Sequence, residues 1–301
     1  MLHRLVINAD DFGLAPEINE AVESAHRSGA LSAASLMVGG AAAADAVARA
    51  HRLPGLNVGL HLTLLEGEAV SAKDRVPGLL AADGRLRTDQ VGLALALGLD
   101  PAIRRQLRAE MEAQFEAFVR TGLTLDHVNA HKHFHLHPMI LSDLLETARR
   151  FAVPAIRIPV EPRRQLRKVE KISAGLSNLA LQAHAKVLRG VVRRAGFIAP
   201  DAVFGLAWSG AFTRDRLLGL LSHLPAGIVE IYLHPATSDE FPGCAKGYRY
   251  CDELAALSSP GIIAGLRRIE ARIGGYASLR RAEPVGVQGA AMAGARADSV
   301  S

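Results

Sequence analysis

Cysteine is nearly absent from this chain: Cys244 and Cys251 are the only two in 301 residues. That excludes a disulfide framework, and their spacing is not that of a zinc ribbon, so a reducing compartment is the expected setting. No uncharged apolar run of about 18 residues occurs, which excludes a helical membrane span. The first short apolar run, Leu5-Val6-Ile7, is broken at once by Asn8-Ala9-Asp10-Asp11, unlike the apolar stretch of a signal peptide. No G-x-G-x-x-G follows a strand pattern, and neither G-x-x-x-x-G-K-[ST] nor G-x-S-x-G is present. Dinucleotide-binding, P-loop and serine-hydrolase readings therefore fall away. A soluble, cytoplasmic protein is the expectation that remains.

Hydrophobic residues make up 49% of a 32.0 kDa chain, enough to bury a full core. Lysine and arginine total 35 against 30 acidic residues, so 35 − 30 = +5, too mild an excess to signal nucleic acid. Its distribution is more informative. Arg163, Arg164, Arg167, Lys168, Lys171, Lys186, Arg189, Arg193 and Arg194 crowd one stretch, opposed only by Glu170.

Short apolar runs at Leu5–Ile7, Ala34–Val38, Leu56–Leu62, Leu123–Asn129, Ala155–Ile158 and Ile228–Leu233 read as strands. Pro16–Ser28, Ala41–Ala50, Pro101–Thr121, Pro138–Phe151 and Thr213–His223 read as helices. The clearest, Pro101–Thr121, repeats Ile103, Leu107, Met111, Phe115 and Phe118 at helical spacing. Alternating β and α elements imply a mostly parallel sheet. Polar residues recur just past the strands: Asp10 and Asp11, His61, His131, Arg157, His234. That is the layout of a (β/α) barrel whose working residues line its C-terminal rim. One domain over 1–283 is expected, with a basic helical insertion at about 163–196 and a disordered tail at 284–301.

Five of the 12 histidines fall between His127 and His137. In an extended segment His131, His133, His135 and His137 project to one face, and imidazole is the commonest neutral metal ligand near pH 7. The run is internal, which sets it apart from a terminal affinity tag. Adjacent carboxylates with histidines from separate strands suit one divalent cation with mixed ligands, oxygen favouring Mg²⁺ and imidazole Zn²⁺. Such a cation lowers the pKa of water from about 15.7 to about 7. A carboxylate then takes the water's proton, and a histidine protonates the leaving group. On a continuing strand Asp10 and Asp11 point to opposite faces, so one serves as ligand and the other as base. A helix N-cap or turn is the other use of such a pair.

Asn8-Ala9-Asp10-Asp11-Phe12-Gly13, Gly59-Leu60-His61-Leu62-Thr63, the His131–Pro138 run and Glu230–Pro235, in that order, resemble the YdjC-like carbohydrate deacetylases. The likeness runs from residue 2 to about 275 and is nearest to the HpnK-type proteins associated with hopanoid biosynthesis. It implies an α/β fold, a distorted TIM-like (β/α) barrel of the polysaccharide-deacetylase type. It also implies one divalent metal ion and removal of N-acetyl groups from amino sugars such as chitooligosaccharides. Asp11, His61 and His131 are implied as metal ligands, Asp10 as general base and His234 as general acid.

One metal cannot take every histidine of one segment, so His133 and His135 become candidates for substrate or supporting contacts. Arg157 serves either a substrate oxygen or an ion pair with Glu230. Phe134, Phe204 and Trp208 either stack on a sugar face or fill the core, with Trp208 the substrate-binding candidate. The expected partner is an acetylated amino sugar or glycolipid, not nucleic acid. Two alternatives stay open: a metal-dependent phosphodiesterase or phosphatase, usually with two metals about 3.5–4 Å apart, and an inactive sugar-binding barrel. In the basic stretch Leu166, Val169, Ile172, Leu176, Leu179, Ala183, Val187 and Val191 form an apolar stripe. It reads as a barrel helix pair with a solvated basic face, or as a peripheral contact with the inner face of the membrane. In the second case each cation near an anionic leaflet contributes about 1 kcal/mol. A glycosylated hopanoid, its tail in the bilayer, calls for that contact.

Overall fold

The computed structural model describes residues 3–172 and 175–277, so the expected tail at 284–301 lies outside the described residues. Seven strands make one sheet: β1 (His3–Phe12), β2 (Ala33–Leu36), β3 (Asn57–Leu62), β4 (Val128–Ala130), β5 (Ala202–Phe204), β6 (Ile228–Leu233) and β7 (Ala271–Ile273). Their order is β4-β3-β2-β1-β6-β5, and β7 also pairs with β1. Every pairing is parallel. β7 takes the start of β1, at His3–Leu5, while β2 takes its later half, from Asn8. The fold is thus α/β, its parallel strands forming a half-barrel. The remaining arc is irregular. Residues 154–160 bridge Val128 through Ile156 and Ile198 through Ala155, and Val203 N donates to Val160 O. Hydrogen bonding therefore runs from β4 round to β5 without a full strand, and this distorts the barrel.

Alternation along the strands decides what each face carries. Leu5, Ile7 and Ala9 of β1, Leu60 and Leu62 of β3, and Val229, Ile231 and Leu233 of β6 belong to the main hydrophobic core. Helices supply its other side. Ile18 and Val22 of Pro16–Arg27, Leu107, Met111 and Phe115 of Pro101–Arg120, and Ile140 and Leu144 of Pro138–Arg150 are all buried there. The opposite face of the sheet is different. Val6, Ala33, Ala155 and Tyr276 form a small separate apolar cluster. Beyond it, toward the C-terminal ends, the inward positions are polar: Asn8, Asp10, Ser35, His61, Asn129 and Glu230, all buried. Hydrogen bonding, not hydrophobic packing, fills the upper half of the barrel. The fit is tight enough that a Cβ at Gly59 would lie 2.5 Å from the His127 ring.

Most helices begin and end within a residue or two of expectation, but several elements differ. Leu123–Asn129, expected as one strand, is a strand only at Val128–Ala130, although Asp126 N already donates to Val58 O. Ala155–Ile158 makes isolated bridges, to Val128 of β4 and to Ile198, instead of a strand. Gln90–Leu99 is a helix without an amphipathic period, burying Leu93 and Leu97 while exposing Val91, Leu95 and Leu99. The basic stretch forms helices Arg163–Val169 and Leu176–Arg194. In the second, Gln182, Ala185, Leu188 and Val192 face inward, and Leu179 and Val187 of the expected stripe are exposed. Two interleaved apolar rows are present, and the row one residue further round was the one the barrel took.

At the barrel's base, Asp126 gathers three donors: His127 Nδ1 at 3.0 Å, Tyr276 N at 2.9 Å and Ala277 N at 2.8 Å. Burial opposes its charge, but these donors outweigh burial and hold the carboxyl below its ordinary 3.8. Its stabilising contribution is therefore complete above about pH 4 and is lost as pH falls through the depressed value. Asp126→Asn is expected to cost roughly 2 kcal/mol at pH 7 in urea unfolding. The gap from wild type should narrow below pH 4; a gap constant from pH 7 to pH 3 would refute the charge's role.

Candidate active site

A cavity of about 480 Å³ opens at the C-terminal ends of the strands. Asp10 and Asp11 reach it from the end of β1, His61 from β3, His131 from just after β4 and His234 from just after β6. Both carboxylates line it, against strand alternation. The register with β2 slips between Ala9 and Phe12, and Asp11 takes a φ of 61°. This bulge re-aims one side chain that a regular strand would turn outward. Asn19 braces the turn that follows, accepting from Gly13 N at 2.8 Å.

Asp11, His61 and His131 converge. Asp11 Oδ1 lies 3.2 Å from both His61 Nε2 and His131 Nδ1, and the two ring nitrogens are 3.4 Å apart. His61 Nδ1–H donates to Asn129 Oδ1 at 2.7 Å, which leaves the Nε2 lone pair aimed into the cluster. On the far side of His131, Nε2 sits 3.9 Å from Glu66 Oε2. Burial disfavours the His131 cation, but Asp11 and Glu66 override it and push the imidazole up to about 9. Burial likewise works against the Asp11 carboxylate, and His131 and His61 hold it well below the usual range all the same. The cluster thus attracts positive charge, and all three donor atoms lie within 4.8 Å of one another. One carboxylate oxygen and two imidazole nitrogens, open on the cavity side, fit a divalent cation of the zinc type.

Asp10 has other company. Arg157 grips it with both terminal nitrogens, Nη1 to Oδ2 at 2.5 Å and Nη2 to Oδ1 at 2.9 Å. Asn8 and Asn129 also donate to Oδ1, at 2.8 and 2.9 Å. Burial would raise this carboxyl; Arg157, with His61 and His234, drives it far below the ordinary value. The same guanidinium donates to Glu230 Oε1 at 2.6 Å and lies 4.5 Å from the centre of the Tyr232 ring. His234 faces the cluster across the cavity. Its backbone N donates to Glu253 Oε2 at 2.5 Å, and its ring packs edge-on against Tyr232 and Tyr248.

Three substrate-binding candidates sit elsewhere. Arg157 is fully buried and does not line the cavity; its guanidinium makes four hydrogen bonds, two to Asp10 and two to Glu230. Trp208, 3% exposed, packs in the core against Phe212 with Arg216 over its face. His135 is fully buried, its Nε2 donating to Arg157 O at 2.7 Å. His133 does line the cavity, where Nε2 meets the Tyr232 hydroxyl at 3.1 Å. Nor is the histidine run extended. His131–Leu136 forms 3-10 turns in which Lys132 and His133 adopt φ of 51° and 53°. The chain must reverse from β4 into the helix at Pro138, so its histidines fan out instead of sharing one face.

Sequence reasoning missed Glu66, Lys132, Tyr232, Tyr248 and Tyr250, all of which line the cavity. Tyr232 had a readable signal, since Glu230, Tyr232 and His234 alternate along β6 exactly as Asn8 and Asp10 do along β1. Glu66 and Tyr248 lie on loops with no such period. Two further buried carboxylates hold the rim. Glu161 accepts from the amides of Gly205, Leu206 and Ala207, and Glu253 from those of Phe212 and His234. Burial raises the pKa of both.

A parallel α/β half-barrel with a carboxylate–imidazole cluster at its C-terminal rim defines the class. The chain belongs to the YdjC-like protein family, whose sequence model matches residues 4–268. It is 30% identical over 296 residues to a carbohydrate deacetylase of Mus musculus, covering 87% of this chain and 90% of that one. A carbohydrate deacetylase of Brevibacillus brevis is 38% identical over 156 residues, a stretch that spans 52% of this chain and 59% of the relative. Among solved structures, an Enterococcus faecalis protein provisionally described as a cellobiose-phosphate cleavage protein superposes with a TM-score of 0.72. The superposition covers 93% of this chain and 99% of that one at 22% identity, a likeness of fold.

Because Asn129 sets the His61 tautomer, Asn129→Ala is expected to weaken Zn²⁺ binding about 10–100-fold in calorimetric titration. Equal affinity in the variant would show that His61 is oriented by something else.

Proposed function

We propose that this protein is a metal-dependent hydrolase that removes the acetyl group from an N-acetylated amino sugar. The observation that carries this reading is one cavity holding the Asp11–His61–His131 cluster between Asp10 and His234. The names of the mouse and Brevibacillus relatives support it. A divalent cation, Zn²⁺ or Mg²⁺, held by Asp11, His61 and His131 would polarise the amide carbonyl and acidify an attacking water.

The remaining chemistry belongs to this chain's side chains. Asp10 is the general base. Arg157 favours its ionised form, and Oδ2, which accepts from Arg157 Nη1 alone, keeps a lone pair for the water's proton. Its low proton affinity makes it a weak base, so its contribution is orientation more than basicity. His234 is the general acid, protonating the sugar nitrogen as the amide C–N bond breaks. With Nδ1 buried and unpartnered, its ring is set by Tyr232 and Tyr248. His133 and Tyr232 form the wall on which sugar hydroxyls would rest. Among the described residues Asp11, His61 and His131 form the one ligand group of this kind, which favours the deacetylase over a two-metal phosphoesterase.

Acetate release from N-acetylglucosaminyl substrates should vanish on complete chelation and return with Zn²⁺ or Mg²⁺. Asp10→Asn and His234→Ala should each lower kcat about 10²–10⁴-fold. Turnover indifferent to complete metal removal would sink the proposal.

A finer reading, a hopanoid-type glycolipid met at the inner face of the membrane, is favoured by Leu176–Arg194. Its Leu179 and Val187 are 46% and 64% exposed beside exposed Lys186 and Arg194. Among the described residues no helix is long and apolar enough to cross a membrane, so such contact would be peripheral. Co-sedimentation with anionic vesicles at low salt is expected, and should be weakened in the combined Lys186→Gln and Arg194→Gln variant. Binding that ignores salt and these charges would exclude it.

A further inference from the structure

We propose that the cavity between helix Leu176–Arg194 and residues 160–163 binds a phosphomonoester, its phosphoryl group held by Arg163, Lys186 and Arg189. This cavity shares no lining residue with the catalytic one, and the proposal does not depend on the deacetylase reading.

The cavity has a volume of about 550 Å³. One face of the helix lines it, since Leu179, Gln182, Ala183, Lys186 and Arg189 recur at three- and four-residue steps. Gln182 fastens the opposite wall: its Oε1 accepts from Glu161 N at 2.7 Å, and its Nε2 donates to Pro159 O at 3.3 Å. The space between helix and segment is therefore fixed by the fold.

Charge around it is unbalanced. Arg163, Lys186 and Arg189 form no ion pair among the described residues. Arg189 Nη1 donates to the backbone oxygen of Asp201, which returns no charge. Two carboxylates also stand in the wall. Asp201 is paired with Arg193 at 2.8 Å through Oδ1, and its Oδ2 accepts from Ile228 N at 2.8 Å. Glu161 is buried and accepts from the amides of Gly205, Leu206 and Ala207. With Arg193 included, four cations face these two carboxylates. Burial, and then the like charge of Arg193, lower the pKa of Arg189 against the pull of Asp201. An anion in the cavity would relieve that repulsion.

A phosphoryl group answers this excess better than a carboxylate does. It carries about two negative charges at pH 7 and three terminal oxygens. The two planar guanidinium groups can each take a pair of oxygens, and the lysine adds a point charge. Val160, Leu179 and Ala183 offer carbon to the organic part of the ester.

The test is calorimetry of the full chain with glycerol 3-phosphate, comparing wild type with the combined Arg163→Gln and Lys186→Gln variant. Lys186 is exposed and Arg163 partly so, and the variant should melt at the wild-type temperature without ligand. Wild type is expected to bind, more weakly as salt rises, and the variant about tenfold or more weakly than wild type. No binding by wild type overturns the proposal. So does equal binding by the variant, the result expected if the phosphoryl group sat on the catalytic cluster instead. Vesicles of phosphatidic acid then separate the two sources of such a group. Vesicles that displace bound glycerol 3-phosphate identify a lipid headgroup as the ligand, and vesicles that leave it bound identify a soluble phosphomonoester.

Discussion

Arg157 is the residue on which the interior depends. It is a fully buried cation between two buried carboxylates, Asp10 above and Glu230 beside it. Removing it would strand two negative charges out of water, the costliest way to break a buried pair. From it the bonding runs both ways round the barrel. Glu230 accepts from the Tyr276 hydroxyl, and Tyr276 N donates to Asp126. Asp126 accepts from His127, whose Nε2 accepts from Ser35 Oγ; Ser35 accepts from Asn129, and Asn129 donates to Asp10. The circuit closes on itself. Asn129 belongs both to this circuit and to the metal-type cluster through His61, so the base and the ligands share one scaffold.

The rim is organised by a second device. Glu161, Glu253 and Glu110 each accept from two or more loop amides and have no basic side chain as partner in these contacts. A carboxylate that gathers successive amides fixes backbone, not just side chains, and so acts where loops have no ladder of their own. Glu253 ties the Phe212 loop to His234, joining two stretches of chain across the mouth of the cavity.

Much of this was legible in the residues. Asp10, Asp11, His61, His131 and His234 stand at or just past strand ends, and all five meet in one cavity. The period-two pattern also ran deeper than the histidine run. Asn8 and Asp10, Gly59 and His61, His127 and Asn129, Glu230 and Tyr232 each mark the inward face of a strand. What could not be read was the local backbone. The bulge at Asp11 and the left-handed pair Lys132-His133 depend on tertiary closure, and no glycine announces them. Arg157 stayed open between substrate and an ion pair with Glu230, because a polar residue past a strand end has the same sequence signature whether it faces substrate or a neighbour, and the structure gives it the pair. The helix Leu176–Arg194 misled because it carries two apolar rows, and only packing chooses between them.

A barrel filled by a closed polar circuit also has an order of assembly. Its members come from residues 10, 35, 126, 127, 129, 157, 230 and 276, nearly the whole span of the described chain. Asp10 emerges early from the ribosome, but Glu230 and Tyr276 follow only after more than two hundred further residues. Until they arrive, the charged interior is better left in water than enclosed, since a half-made network costs more than none. The outer apolar layer of strands and helices can gather first, whereas the centre must stay wet. The last strand and the short segment after it are thus the closing stones of the barrel, and a chain lacking them would keep its active-site carboxylates hydrated and unplaced.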